Sequence, residues 1–170
     1  MVAGGVFTHA FLNTYSYHRQ HASVDCKVVE ARVIQGQVYL ETTVVSTNGQ
    51  KSLQAVRRMT GQNTASFSLQ TVNAPDESGY QFLQTSGLIV LDNKIGYVAV
   101  LPIGMAQVSS VILTAEVGVT LQKGEEISYF QFGGSDCIVV FQAAANVKIT
   151  TKPGDAVQMA EPIGTVQLGK

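Results

Sequence analysis

The sequence predicts a mainly β fold, α+β with few short helices, built as a single domain. Three observations carry this. Val, Ile and Thr are abundant, while the 170 residues hold 16 Gly, 4 Pro and no Trp, a balance that favours strands over helices. Apolar and polar residues alternate in several runs, and turn-forming pairs fall between those runs. A chain of this length buries one sizeable core and rarely two.

Taken in order, the predicted strands are Val6–Leu12, Lys27–Gln35, Val38–Ser46, Ser52–Met59, Gly96–Pro102, Gln107–Leu113 and Ile138–Gln142. In the third, Val38, Leu40, Thr42 and Val44 share one face, with Gln37, Tyr39, Glu41 and Thr43 on the other. Turns are expected at Gln35-Gly36, Asn48-Gly49, Asp92-Asn93 and Lys123-Gly124. The polar stretch from Gly61 to Gly87 reads as a long loop or lid with a short helix, and long ordered loops are frequently functional. A weak repeat follows. Val119 to Ile127, centred on Lys123-Gly124-Glu125, is echoed by Ile149 to Val157, centred on Lys152-Pro153-Gly154-Asp155, and Ile163 to Val166 closes the later copy. These units resemble the hammerhead β hairpins of biotinyl- and lipoyl-like domains, a resemblance that bears on fold more than on chemistry.

Composition removes several functions. Hydrophobic residues make up 45% and charged residues 14%, which argues against disorder. Eleven basic against 12 acidic residues leave a net charge of -1, so no basic field exists to draw nucleic acid or an anionic membrane. Cys26 and Cys137 are too few for a disulfide framework and suit a reducing compartment. No apolar run approaches the ~20 residues of a membrane span. The opening residues lack the basic region and long apolar core of a secretory signal. A cytoplasmic protein is expected, with peripheral membrane association left open. Met1 to Gly5 run straight into strand-like sequence, as in a chain that begins partway through a larger protein.

Two constellations could carry chemistry. Phe132-Gly133-Gly134-Ser135-Asp136-Cys137 leads into a fully apolar strand. One reading is a Gly-Gly turn that Ser135 merely caps. The other is chemical: Gly134 permits a strained backbone in which Ser135 Oγ attacks the carbonyl carbon before it. That attack turns an amide into an ester. Elimination then frees Gly134 as a C-terminus and leaves dehydroalanine, which hydrolyses to a pyruvoyl group. Such a serine needs a base. The second constellation, Tyr17-His18-Arg19-Gln20-His21, supplies two residues able to exchange a proton near neutral pH, although isolated histidines are more often hydrogen-bonded loop residues. A metal site from His18, His21, Cys26 and His9 matches no compact zinc spacing, and no metal is expected. Dinucleotide, phosphate-loop and GxSxG patterns are missing from the sequence, and Glu125-Glu126 read as a solvated turn.

Taken together, Gly4-Gly5-Val6-Phe7, Tyr17-His18-Arg19-Gln20-His21 and Lys123-Gly124-Glu125-Glu126 through Gly134-Ser135 resemble the phosphatidylserine decarboxylase family of pyruvoyl-dependent enzymes, nearly from end to end. The resemblance implies a proenzyme that self-cleaves between Gly134 and Ser135. Residues 1–134 would then form a β chain, and residues 135–170 an α chain opening on a pyruvoyl cofactor made from Ser135. It implies His21 as the base activating Ser135, and His18 as a residue for substrate binding or proton transfer. It further implies decarboxylation of an amino acid or phosphatidylserine through a Schiff base, in which the cofactor is the electron sink. The expected partners are that small amino-acid or phospholipid substrate and, as a homodimer, a second copy of the chain.

The sequence also departs from the family pattern. Asp136 follows Ser135 where the family has Thr, Ser128 replaces a Gly, and Ala22-Ser23-Val24-Asp25 follow His21 without the family's Pro. The family's upstream Ala-Asp-Gly segment, whose Asp orients the catalytic histidine, has no counterpart here. Either Asp25 or Asp136 substitutes, or processing is slow or absent. The alternative function is therefore an uncleaved relative that binds a ligand or partner. A biotinyl or lipoyl carrier is disfavoured, because Lys123 and Lys152 lie in Lys-Gly and Lys-Pro turns.

Overall fold

The computed structural model describes residues 4–12, 16–38, 42–55, 58–60, 71–73, 80–105, 109–131 and 135–166. In chain order the strands are β1 (Val6–Leu12), β2 (Arg19–His21), β3 (Cys26–Ile34), β4 (Thr42–Thr47), β5 (Gln50–Ala55), β6 (Arg58–Thr60) and β7 (Thr71–Asn73). A one-turn helix α1 (Tyr80–Leu83) follows, then β8 (Ser86–Asn93), β9 (Gly96–Ile103), β10 (Ile112–Leu113), β11 (Thr120–Leu121), β12 (Glu126–Tyr129) and β13 (Ser135–Phe141). A 3-10 turn at Ala143–Ala145 leads to β14 (Val147–Ile149) and β15 (Gly164–Val166). The expected mainly β architecture is what the chain adopts.

Six strands form the main antiparallel sheet, ordered β1-β13-β9-β8-β3-β11, and three form a second, ordered β10-β12-β2. The remaining strands pair as β4–β5, β6–β7 and β14–β15. β13 is held on both sides: Val6 to Leu12 pair with Phe141 to Ser135, and Asp136 to Phe141 pair with Ile103 to Val98.

The core follows from period-2 alternation. In β8 and β9, Ile89, Leu91, Val98 and Val100 all point to one face and are at most 1% exposed. Val28 from β3 and Ile127 from β12 are fully buried in the same cluster, which also takes in Ala22, Cys26 and Phe141. Each buried Val, Leu, Ile or Phe among them contributes about 1.5–3 kcal/mol by leaving water. This cluster binds the main sheet to the second one and so fixes where β2 sits.

β4 and β5 meet at the expected Asn48-Gly49 turn, where φ values of 53° and 77° put both residues in the left-handed region of a tight hairpin. The turn expected at Asp92-Asn93 lies slightly later, at Lys94 and Ile95, because Asn93 Oδ1 accepts the N–H of Ile95. The strands flanking Lys123-Gly124 separate: β11 pairs with β3, and β12 with β2 and β10. Ala156 and Val157 are not in a strand, and Val147–Ile149 pair instead with Gly164–Val166. Of the polar stretch, residues 61–70 and 74–79 lie outside the described residues, while α1 supplies the short helix. Among the described residues no helix is long and apolar enough to cross a membrane.

Candidate active site

β2 and the residue just before it carry two imidazoles on opposite sides. Along residues 17–22, Tyr17 and Arg19 are exposed and His21 lies on their side, while Gln20 and Ala22 are buried and His18 lies on theirs. β2 is held against β12, with Arg19 opposite Tyr129, Gln20 opposite Ser128 and His21 opposite Glu126. Ile127 is the extra residue of a bulge, and bulges re-aim the side chains beside them. Outside, Arg19 donates to Glu126 Oε2 at 2.6 Å and lies 5.1 Å from the centre of the Tyr129 ring. The hydrogen bond and charge of Glu126 hold the Arg19 pKa above its ordinary value.

His21 is fixed at both ring nitrogens. Its Nδ1–H donates to the carbonyl oxygen of Gly124 at 2.6 Å, so Nε2 carries the lone pair and accepts from the Tyr17 hydroxyl at 2.8 Å. The two rings stack 5.6 Å apart. Gly124 has φ 96°, a conformation open to glycine. Its turn is tied down by backbone bonds from Ala22 N to Glu125 O and from Gly124 N to Ala22 O. Asp25 Oδ1 accepts the N–H of Lys123 at 2.8 Å, so this acid fixes the turn that positions His21.

His18 is arranged differently. Its Nδ1–H donates to the Ser16 carbonyl at 2.5 Å, and its ring meets Phe130 edge-on at 6.3 Å. Its Nε2 is buried and has no hydrogen-bond partner. The free lone pair therefore belongs to His18.

Ser135 opens β13, its backbone opposite Leu12. Phe132, Gly133 and Gly134, including one side of the expected scissile bond, lie outside the described residues. The chain relates Ser135 to β2 through two short paths. Phe130 N donates to the His18 carbonyl at 3.0 Å, and Ser135 follows Phe130 by a span of at most about 18 Å. From Leu12, opposite Ser135, residues 13–17 lead to His18. His18 thus sits at the end of the β2–β12 ladder from which the chain leaves for Ser135, and His21 sits at the other end.

Next to Ser135, the buried carboxylate of Asp136 (1% exposed) lies 3.3 Å from His9 Nε2. The two are diagonal neighbours, since Asp136 is opposite Phe11 and Ile138 is opposite His9. His9 is thus an acid-paired residue on β1. Among the described residues no three His, Cys, Asp or Glu side chains gather as metal ligands. An open groove of about 670 Å³, lined by Ser23, Asp25, Lys27, Asn93, Lys94 and Lys123 among others, has neither His18 nor His21 in its lining.

Sequence reasoning gave no separate role to Tyr17, Gln20 or the Gly124 carbonyl and did not pair His9 with Asp136. A signal existed for Tyr17, which lies four residues before His21 on the same side of the strand. None existed for Gly124, whose contribution is a backbone carbonyl.

A family model described as phosphatidylserine decarboxylase matches residues 1–165. The chain belongs to that family. It is 29% identical over 139 residues to a phosphatidylserine decarboxylase proenzyme of Fusobacterium nucleatum, covering 81% of this chain and 37% of the relative. To the decarboxylase iboD of Amanita muscaria it is 28% identical over 155 residues, covering 91% of this chain and 41% of the relative. A 54-residue segment is 39% identical to phosphatidylserine decarboxylase proenzyme 2 of Komagataella phaffii, covering 32% of this chain and 5% of the relative. The chain therefore spans about two fifths of the length of the first two relatives. No solved structure matches it.

Proposed function

We propose that the chain carries the core of a pyruvoyl-dependent decarboxylase proenzyme, cut by its own Ser135 between Gly134 and Ser135 and acting on an amino acid or phosphatidylserine. The observation that carries this reading is the linkage of the His18–Phe130 pair to the Leu12–Ser135 pair through residues 13–17 and 131–134. The proposed bond stands at the entry of β13. Cutting it leaves Ser135–Phe141 held between β1 and β9, so the small fragment stays in the sheet.

Ser135 is the nucleophile in this reading and His21 its base, through Nε2, the role the family resemblance implies, although His18 stands at the ladder end nearer to Ser135 along the chain. The Gly124 carbonyl fixes the His21 tautomer that has the lone pair there, a role an aspartate plays elsewhere in acid-His-nucleophile sets. Tyr17 must release Nε2 before that nitrogen can take the serine proton. His18 serves the substrate, with its buried, unpartnered Nε2 available to hold or move a proton. The residues fit a pyruvoyl group at position 135, because the buried, unpartnered Nε2 of His18 stands at the end of the β2–β12 ladder from which the chain leaves for Ser135. Such a group would supply a carbonyl that condenses with the substrate amine and would hold the electron pair left on the substrate when carbon dioxide departs.

A denaturing gel tests this. Self-cleavage predicts fragments of about 14 and about 4 kDa, and borohydride with an amine substrate should label the smaller one. An intact, unlabelled band after long incubation would instead support an uncleaved relative that binds a ligand. That second reading draws on one observation: both ring nitrogens of His21 are occupied. Ser135→Ala separates the two, since only the first predicts a changed gel pattern.

A further inference from the structure

Gln20 and Ser128 form a buried polar pair inside an otherwise apolar packing layer. They face each other across β2 and β12, are 5% and 0% exposed, and Ser128 Oγ donates to Gln20 Oε1 at 2.6 Å. Ser128 is one of the residues that depart from the family pattern. By occupying the amide oxygen, it leaves Gln20 Nε2 as the group the amide presents, and that nitrogen is buried without a partner. In either orientation of the amide, one of its two polar atoms stays unpaired. Burying such a group unpaired costs more than the bond itself returns.

His18, the residue before β2 and on the same buried side as Gln20, carries another unpaired atom, Nε2. Residues two apart on a strand point the same way, with Cα atoms roughly 6.5 Å apart. Because His18 Nδ1–H is spent on the Ser16 carbonyl, its Nε2 offers a lone pair, whereas Gln20 Nε2 offers two N–H donors. A buried donor and a buried acceptor thus lie on the same side of the chain, each without a protein partner.

We propose that Gln20 is a ligand-binding residue whose side-chain N–H donates to an oxygen of a small polar molecule lodged beside His18. Resting on the decarboxylase reading, that molecule is the substrate, and Gln20 selects one with an oxygen at this point. A hydroxyl satisfies both atoms, accepting from Gln20 and donating to His18. A carboxylate satisfies Gln20 and takes a second bond from His18 when the imidazole is protonated. An apolar group leaves both atoms unpaired.

The test follows the side-chain amide resonances of Gln20 and the ring nitrogens of His18 in the 15N-labelled full chain, titrated separately with acetate, L-alanine, ethanolamine and L-serine. Shifts with acetate, alanine and serine assign a carboxylate; shifts with ethanolamine and serine alone assign a hydroxyl. The double variant Gln20→Met with Ser128→Gly removes both polar groups together, so its fold can be checked by circular dichroism without leaving an orphan. It should weaken L-serine binding by about 10- to 100-fold for a carboxylate, and about 3- to 10-fold for a hydroxyl. Resonances unmoved by all four probes, or a folded double variant that binds L-serine as tightly as the parent, would overturn the proposal. The gel pattern of the same sample keeps the two readings apart. A moved resonance in an uncut, inactive chain retains the Gln20 site without the decarboxylase, and an unmoved one in a cut, active chain does the reverse.

Discussion

The Tyr17 hydroxyl donates to Nε2 of His21 at 2.8 Å, which places the one basic nitrogen of that ring under an exposed phenol. If His21 is the base for Ser135, this bond opposes the reaction. Tyr17→Phe keeps the ring stack and removes the donor, while the Gly124 carbonyl still fixes the tautomer. Losing a bond of net worth near 1 kcal/mol should raise the rate of self-cleavage by about 2- to 10-fold. A time course on a denaturing gel reads this directly, and slower cleavage would mean that the hydroxyl takes part in the step.

The two histidines should fail differently. His21→Ala removes the proposed base and should slow cleavage by roughly 100-fold or more. His18→Ala should leave cleavage within a few-fold but lower decarboxylation of the cut protein by about 100-fold or more, because a proton-transfer group has gone. Rates of fragment appearance and of carbon dioxide release, measured on the same preparations, separate the roles. If His18→Ala abolished cleavage, the two assignments would have to be exchanged, in keeping with the free lone pair at His18.

His9 is expected to matter for stability. Asp136 is 1% exposed and His9 is one of its partners at 3.3 Å. Replacing His9 by Leu withdraws a donor from a buried carboxylate, at a cost of about 1–3 kcal/mol, whereas His9→Gln keeps a donor and should lose less. In a protein of this size each kcal/mol lowers the melting temperature by about 2–4 °C. Thermal unfolding of His9→Leu within a degree of the parent would show that the pair contributes nothing to folding.

Much of this architecture was legible where a face alternates or a turn needs glycine. β1 runs over the predicted residues Val6–Leu12, and the Asn48-Gly49 hairpin forms as expected. β8 was not, because Leu88-Ile89-Val90-Leu91 is a continuous apolar run with no alternation, and the strand's first two residues, Ser86 and Gly87, read as the end of the polar stretch before it. β2 is only three residues long and owes its strand form to pairing with β12, a non-local cause that no local pattern reveals. At the site, the residue types of His18, His21 and Ser135 could be read as chemistry. Which imidazole keeps a free nitrogen could not, since Ser16 and Gly124 decide it through backbone carbonyls. The same holds for Gln20, whose burial depends on Ser128 more than a hundred residues away.

Cys137 makes alkaline pH a probe of the sheet that would keep the small fragment in place. Burial, with a smaller contribution from the Asp136 charge, pushes its thiol from 9.0 up to about 12. In the unfolded chain the thiol ionises near 9.0, while in the folded one it keeps its proton until about 12. Between those values the folded state binds more protons than the unfolded state, so stability falls as pH rises. The contribution is fully present below 9.0 and is lost progressively toward 12, at up to about 1.4 kcal/mol per pH unit. Cys26, whose thiol is also raised by burial and then by the charges of Asp25 and Glu125, acts in the same direction. Urea midpoints taken between about pH 8 and about pH 10.5 should therefore fall more steeply for the parent than for Cys137→Ala, since tyrosine and lysine titration is common to both and cancels. Parallel curves would mean that Cys137 ionises as readily in the folded protein as in the unfolded one. The end of β13 carrying Asp136 and Cys137 would then be open to water, and Ser135 would not be anchored in the sheet as its pairing with Leu12 requires.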